Sequence, residues 1–132
     1  MSETKVPEEL RFTKTHEWLR SEGGDLVVGI TDHAQSELTD IVFVELPAVG
    51  TAVKAGDSVL VLESVKTVAD LYAPVDGTIS AVNGELKSHP ERVNQDPYAS
   101  GWIFRITPTG VVDLGNFLDA AGYRAALAGA AH

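Results

Sequence analysis

The chain has 132 residues, enough for one domain with a core of its own. Its 10 Lys and Arg against 19 Asp and Glu give a formal net charge of −9, which disfavours nucleic acid and anionic membranes and favours positively charged protein surfaces. There is no cysteine, so disulfides, Cys-ligated metals and thiol chemistry of its own are excluded, and redox work requires an attached group. In chain order, residues 1–10 (MSETKVPEEL) are acidic and polar, unlike a signal or transit peptide, and read as a flexible leader. Glu17 to Arg20 and Leu26 to Ile30 read as a hairpin around Gly23-Gly24-Asp25. Thr31-Asp32 caps a short helix through Leu38. Asp40 to Leu46 (DIVFVEL) is a strand candidate, stopped by Pro47. Short strands follow at Thr51 to Val53, Ser58 to Leu62, Thr67 to Ala73 and Gly77 to Val82, punctuated by Gly56-Asp57, Asp76-Gly77 and Asn83-Gly84. Ser88-His89-Pro90-Glu91 opens a short helix, and Gly101 to Ile106 is a last strand. Residues 111–128, rich in Ala and Leu, read as a helical segment interrupted at Gly115 and Gly122. The pattern is mainly β, a compact sandwich or barrel. Trp18, Trp102, Phe43 and Phe104 are its expected core aromatics. No apolar run reaches the roughly 18 residues of a membrane span, and a cytoplasmic protein is the expectation.

A faint repeat runs through the middle. PAVGT begins at Pro47 and PVDGT at Pro74, suggesting two similar units facing each other, and the copies bracket Lys66. Lys66 stands between two strand-like runs, at a turn without Gly, Asn, Asp or Pro. Turn lysines are ordinarily solvated side chains. This one has β-branched neighbours, Val65 and Thr67, and lies between the matched units. An exposed tip is where an enzyme reaches a lysine amine to acylate it, which makes a swinging arm of the kind lipoamide and biotin form. His16 and His33 lie in separate segments with no third ligand at metal spacing, so no metal site is expected.

Seven blocks taken together resemble one family: KTHEW (Lys14 to Trp18), GITDHAQ (Gly29 to Gln35), DIVFVELP (Asp40 to Pro47), VKAGD (Val53 to Asp57), ESVKTVADLYAPVDG (Glu63 to Gly77), VNQDPY (Val93 to Tyr98) and GWIFRI (Gly101 to Ile106). In this order they resemble the H proteins of the glycine cleavage system, over nearly the whole chain. The resemblance implies a single lipoyl-carrier domain over residues 1–132, folded as a lipoyl/biotinyl-carrier-type β sandwich (barrel-sandwich hybrid) with short helices and a C-terminal helix. It implies lipoate in amide linkage to Lys66, with Glu63 recognised by the lipoylating enzyme. Biotin carriers flank their lysine with methionines, whereas the only Met here is Met1.

The further implication is a non-enzymatic carrier. It takes the aminomethyl group of glycine from a pyridoxal-phosphate glycine decarboxylase to a tetrahydrofolate-dependent aminomethyltransferase, and dihydrolipoamide dehydrogenase reoxidises it. Such a cargo calls for shielding from water and a carboxylate for its ammonium. Glu17 and Asp70 are the candidates for that cleft; Asp70 lies four residues past Lys66, on the same face by strand alternation. His16 lines the cleft or packs beside Trp18. The alternatives are a lipoate relay for 2-oxo-acid dehydrogenases and an unmodified interaction domain; no Ser/His/Asp arrangement supports an enzyme. One departure stands out: the family usually has glycine where this chain has Thr39, which would be strained if the position needs positive φ.

Overall fold

The computed structural model describes residues 5–130. The strands are β1 (Arg11–Phe12), β2 (Glu17–Glu22), β3 (Asp25–Ile30), β4 (Ile41–Glu45), β5 (Ala52–Val53), β6 (Ser58–Ser64), β7 (Val68–Tyr72), β8 (Gly77–Val82) and β9 (Phe104–Pro108). The α-helices are α1 (Asp32–Leu38), α2 (Arg92–Gln95) and α3 (Ala120–Ala130), and 3₁₀ turns form at Gly84–Lys87 and Leu114–Asn116. One sheet has six strands in the order β1-β2-β3-β9-β8-β5, the other three in the order β4-β6-β7, and every pairing is antiparallel. This is the two-sheet carrier sandwich that the strand pattern and the resemblance imply.

The sheets share one core. Leu19, Val28, Ile30, Ile79 and Ile106 of the larger sheet meet Ile41, Val44, Leu60, Leu62 and Leu71 of the smaller. The outer face of β3 is buried too, because Val27 and Trp18 pack with Val6, Leu10, Phe12 and Tyr123 in a second cluster. Trp18 lies flat on Gly29, where an added Cβ would stand 2.6 Å from the indole nitrogen. Its N–H donates to the Pro97 carbonyl at 2.8 Å. The β2–β3 turn places Gly23 and Gly24 at φ +58° and +89°, the hairpin turn that glycines favour. The two copies of the repeat lie side by side: Ala52 pairs Thr78, Val53 pairs Gly77, and Gly50 N–H donates to the Ile79 carbonyl.

Several expectations change. Val6 and Leu10 are buried, so the leader reading fails for these residues, while residues 1–4 lie outside the described ones. Helix does not run through residues 111–118. Leu118 exchanges both backbone hydrogen bonds with Phe12, which holds it extended, and helix begins only at Ala120. The last strand starts at Phe104, with Gly101 and Trp102 in the approach to it and Trp102 only half-buried. Pro90 precedes α2, which starts at Arg92. Phe43 is not core. A register shift between Ile41 and Phe43 makes Val42 a bulge and turns both Val42 and Phe43 outward, 53% and 46% exposed.

Thr39 closes α1 at φ +62°, ψ −153°, a region that is essentially glycine's own. The surroundings enforce it. Asn94 donates to the Thr39 carbonyl at 2.7 Å and to Gln35 Oε1 at 3.0 Å, and its own Oδ1 accepts from Ile41 N–H at 2.9 Å. Thr39→Gly is expected to stabilise the chain by about 1 kcal/mol, the relieved strain of roughly 1–3 kcal/mol less the greater freedom of an unfolded glycine. The midpoint of denaturant unfolding checks it; an unchanged or lower midpoint contradicts the strain.

Candidate functional site

Lys66 is exposed at the tip of the β6–β7 hairpin. A two-residue hairpin loop normally uses positive φ at one or both central positions. Val65 and Lys66 have no such φ. Ser64 supplies the missing closure. Its N–H donates to the Thr67 carbonyl at 2.8 Å, and its hydroxyl accepts the N–H of Thr67 at 3.1 Å and of Lys66 at 3.3 Å. The Val65 N–H is tied across to the Asp40 carbonyl at 3.0 Å. The backbone of the tip is therefore fixed while the lysine amine has no hydrogen bond or ion pair among the described residues. That chemistry fits acylation: a free primary amine on a rigid, exposed mount.

Glu63 sits on the central strand of the small sheet. Glu63 is exposed and stands across from Phe43 on β4 and Val68 on β7. Phe43, Val65 and Val68, at 46%, 65% and 59% exposure, surround the lysine tip with apolar surface.

From that tip β7 runs directly into a cavity wall. A cavity of about 250 Å³ is lined by Glu17, His16, Thr15, His33 and Glu37 on one side and Ala69, Asp70 and Leu71 on the other. The adjacent His16 and Glu17 and the distant Asp70 thus share one cavity. Asp70 is four residues beyond Lys66, roughly 13 Å along an extended strand, a distance comparable to a lysine lengthened by a lipoyl chain. Asp70 is exposed and accepts the Ser58 hydroxyl at 2.7 Å. Glu17 is 1% exposed. Its Oε1 accepts the hydroxyls of Thr13 and Thr15, each at 2.5 Å, and Tyr72 N–H lies 3.4 Å from Oε2. Two donors on one oxygen leave the second largely free for a cationic guest. Glu17 also borders a neighbouring cavity of about 320 Å³ with Gly56, Tyr72 and Pro74.

His16 occupies the left-handed region at φ +71°. Its Nδ1 lies 2.7 Å from the Tyr123 hydroxyl, its ring 4.8 Å from that of His33, and His33 Nε2 lies 3.6 Å from Glu37. Burial first, then the neighbouring His33, holds the His16 imidazole below its ordinary 6.5, against the pull of Glu37. The unfolded chain therefore binds this proton more readily, and the His16 contribution to stability is full above pH 6.5 and falls as pH drops toward the lowered folded value. His16→Asn, which tolerates the positive φ, is expected to lose that part of the acid sensitivity. Unfolding midpoints across this range check it; parallel wild-type and variant profiles contradict it.

Sequence reasoning missed Thr13, Thr15, Ser64 and Tyr123. The threonines carry a local signal, four and two residues before Glu17, and Ser64 a weaker one in the turn. Tyr123 is 107 positions from His16 and carries none.

No cluster of three or more metal-type ligands occurs among the described residues, and no helix there is long and apolar enough to cross a membrane. A lysine displayed on a rigid hairpin of a two-sheet sandwich, beside an acid-lined cavity, defines a prosthetic-group carrier. The chain matches the glycine cleavage H-protein family over residues 10–129 and belongs to it; it is a lipoyl carrier of the glycine cleavage system. It is 54% identical over 122 residues to the glycine cleavage system H protein of Thermus thermophilus, covering 92% of this chain and 95% of that one. It is 54% identical over 125 residues to the H protein of Pectobacterium carotovorum, covering 94% and 96%. A crystal structure of a glycine cleavage system H protein from Mycobacterium marinum superposes with a TM-score of 0.84 at 39% identity, covering 93% of this chain and 99% of that one.

Proposed function

We propose that Lys66 carries lipoate in amide linkage and that residues 1–132 work in the cytoplasm as a single, non-catalytic carrier domain. The observation that carries the reading is the Lys66 amine, without a hydrogen bond or ion pair among the described residues, on a hairpin tip that Ser64 makes rigid. Glu63, exposed on the strand leading to that tip, is the recognition element for the lipoylating enzyme. Lipoate bound at Lys66 would supply a dithiolane able to accept the aminomethyl group of glycine for later release as a one-carbon unit and ammonia. The chain's own residues orient, shield and present. Glu17 and Asp70 offer carboxylates to a cationic amine in the cavity, where charge-assisted hydrogen bonds are strong, and His16 forms part of the wall. The partners in turn are the pyridoxal-phosphate glycine decarboxylase, the tetrahydrofolate-dependent aminomethyltransferase and dihydrolipoamide dehydrogenase. The net charge of −9 favours docking on positively charged surfaces of these enzymes.

Peptide mass mapping of the chain purified from its native host tests the assignment. One lipoyl group on the peptide containing Lys66 is the expected result. An unmodified Lys66 in cells actively cleaving glycine overturns it.

A further inference from the structure

The C-terminal helix reads in the sequence as packing alone, yet one of its side chains reaches the cavity wall. Tyr123 is 1% exposed, and its ring stacks on Phe12 with centroids 4.7 Å apart. Its hydroxyl lies 2.7 Å from His16 Nδ1 and 2.8 Å from the Thr31 hydroxyl. Thr31 is fully buried and its Oγ1 already accepts Ala34 N–H as the cap of α1.

The direction of this chain follows from counting hydrogens. Thr31 has one hydroxyl hydrogen, and among the described residues its only acceptor is the Tyr123 oxygen. If Thr31 donates to Tyr123, the tyrosine hydrogen goes to His16 Nδ1 and every buried group is satisfied. The reverse direction leaves the Thr31 hydrogen buried with nothing to receive it, at a cost that buried polar groups avoid. Nδ1 is then an occupied acceptor, and the neutral imidazole carries its proton on Nε2.

We propose that Tyr123 is a positioning residue that fixes the tautomer of His16 and so denies the cavity this imidazole as a neutral base. This rests on the carrier reading above and deepens it. An aminomethyl thioether is stable as its ammonium. The free amine is not: its lone pair drives out sulfur with the C–S electron pair, and one water completes conversion to thiol, formaldehyde and ammonia. A cavity that keeps the cargo must therefore hold the amine protonated. Glu17 and Asp70 favour the cation, whereas an imidazole with an open acceptor nitrogen would remove its proton. Tyr123 occupies that nitrogen. His33 and Glu37 from α1, and Glu17 from β2, are the other titratable groups lining this side of the cavity.

The first test needs no variant and no lipoyl group. Nitrogen-15 NMR of the His16 side chain in the wild-type protein is expected to show Nε2 protonated and Nδ1 an acceptor. A proton on Nδ1 overturns the proposal. The second test compares loss of the aminomethyl group from loaded protein. Tyr123→Phe, which keeps the stack on Phe12, is expected to speed loss about fivefold, and the increase is expected to vanish when His16→Asn is added. An unchanged rate in Tyr123→Phe, or an equal increase in the His16→Asn background, overturns it. Loss that is equally fast in wild type and Glu17→Gln overturns the shielding reading instead, and leaves the NMR result standing on its own.

Discussion

Lys66→Arg is expected to abolish glycine cleavage in a system reconstituted from purified components, with no detectable change in fold. Arginine keeps the length, the positive charge and the exposed turn position. It removes the one thing acylation needs, a primary amine that can surrender its proton, because the guanidinium stays protonated throughout the accessible range. The acylated wild type goes the other way in charge: amide formation neutralises the lysine, taking the formal net charge from −9 to −9 − 1 = −10. The variant therefore separates the arm from the mount. Its stability should stay within about 0.5 kcal/mol of wild type, as for surface positions without partners, since the Lys66 side chain makes no hydrogen bond or ion pair among the described residues. Three measurements check it together: intact mass without the lipoyl increment, decarboxylase-dependent exchange of glycine carboxyl at background level, and an unchanged unfolding midpoint. A variant that still turns over glycine would move the attachment elsewhere. A variant that unfolds would contradict the claim that the tip is held by backbone and Ser64 alone.

Most of the fold was legible because it is written in local signals. The Gly23-Gly24 turn, the Thr31 cap, the β-branched run of β4 and the paired PAVGT and PVDGT turns each depend on neighbours within a few residues. Phe43 and residues 111–118 read wrongly for a shared reason: a non-local pairing overrode a local preference. The bulge that turns Phe43 outward exists only in the register of β4 against β6. Leu118 is extended only because Phe12, more than a hundred residues earlier, claims its backbone hydrogen bonds. The site divides in the same way. Lys66 and Glu63 sit in one continuous motif. The cavity is assembled from β2, α1 and β7, so sequence could nominate Glu17, Asp70 and His16 separately but not show that they face one space. Thr39 is the instructive case between them. A positive φ was foreseeable as a question, and its answer depends on Asn94 reaching back from α2 to fix the carbonyl.

Glu17→Gln and Asp70→Asn are expected to weaken retention of the aminomethyl group unequally. Both substitutions keep shape and remove one negative charge. Glu17 is buried, and its Oε1 is anchored by two threonine hydroxyls, so on the proposed reading its second oxygen, which receives only the long Tyr72 N–H contact, would meet the cargo in a water-poor setting with little reorganisation. A hydrogen bond to a charged group is worth about 1.5–3 kcal/mol there, which corresponds to roughly a ten- to hundredfold faster loss from the loaded arm. Asp70 is exposed and shares its oxygen with Ser58, so solvent screens its attraction. Its loss should cost only a fewfold, in line with exposed ion pairs of about 0–1 kcal/mol. Thr13 and Thr15 sharpen the comparison. In the glutamine variant one threonine hydroxyl can still donate to the amide oxygen, so the fold should hold while the charge is gone. Release of formaldehyde from protein loaded by the decarboxylase, followed at fixed pH for the three proteins, measures the order directly. Equal rates would remove both carboxylates from the mechanism. A larger effect from Asp70 would shift the resting place of the cargo toward the open mouth of the cavity, away from its buried wall.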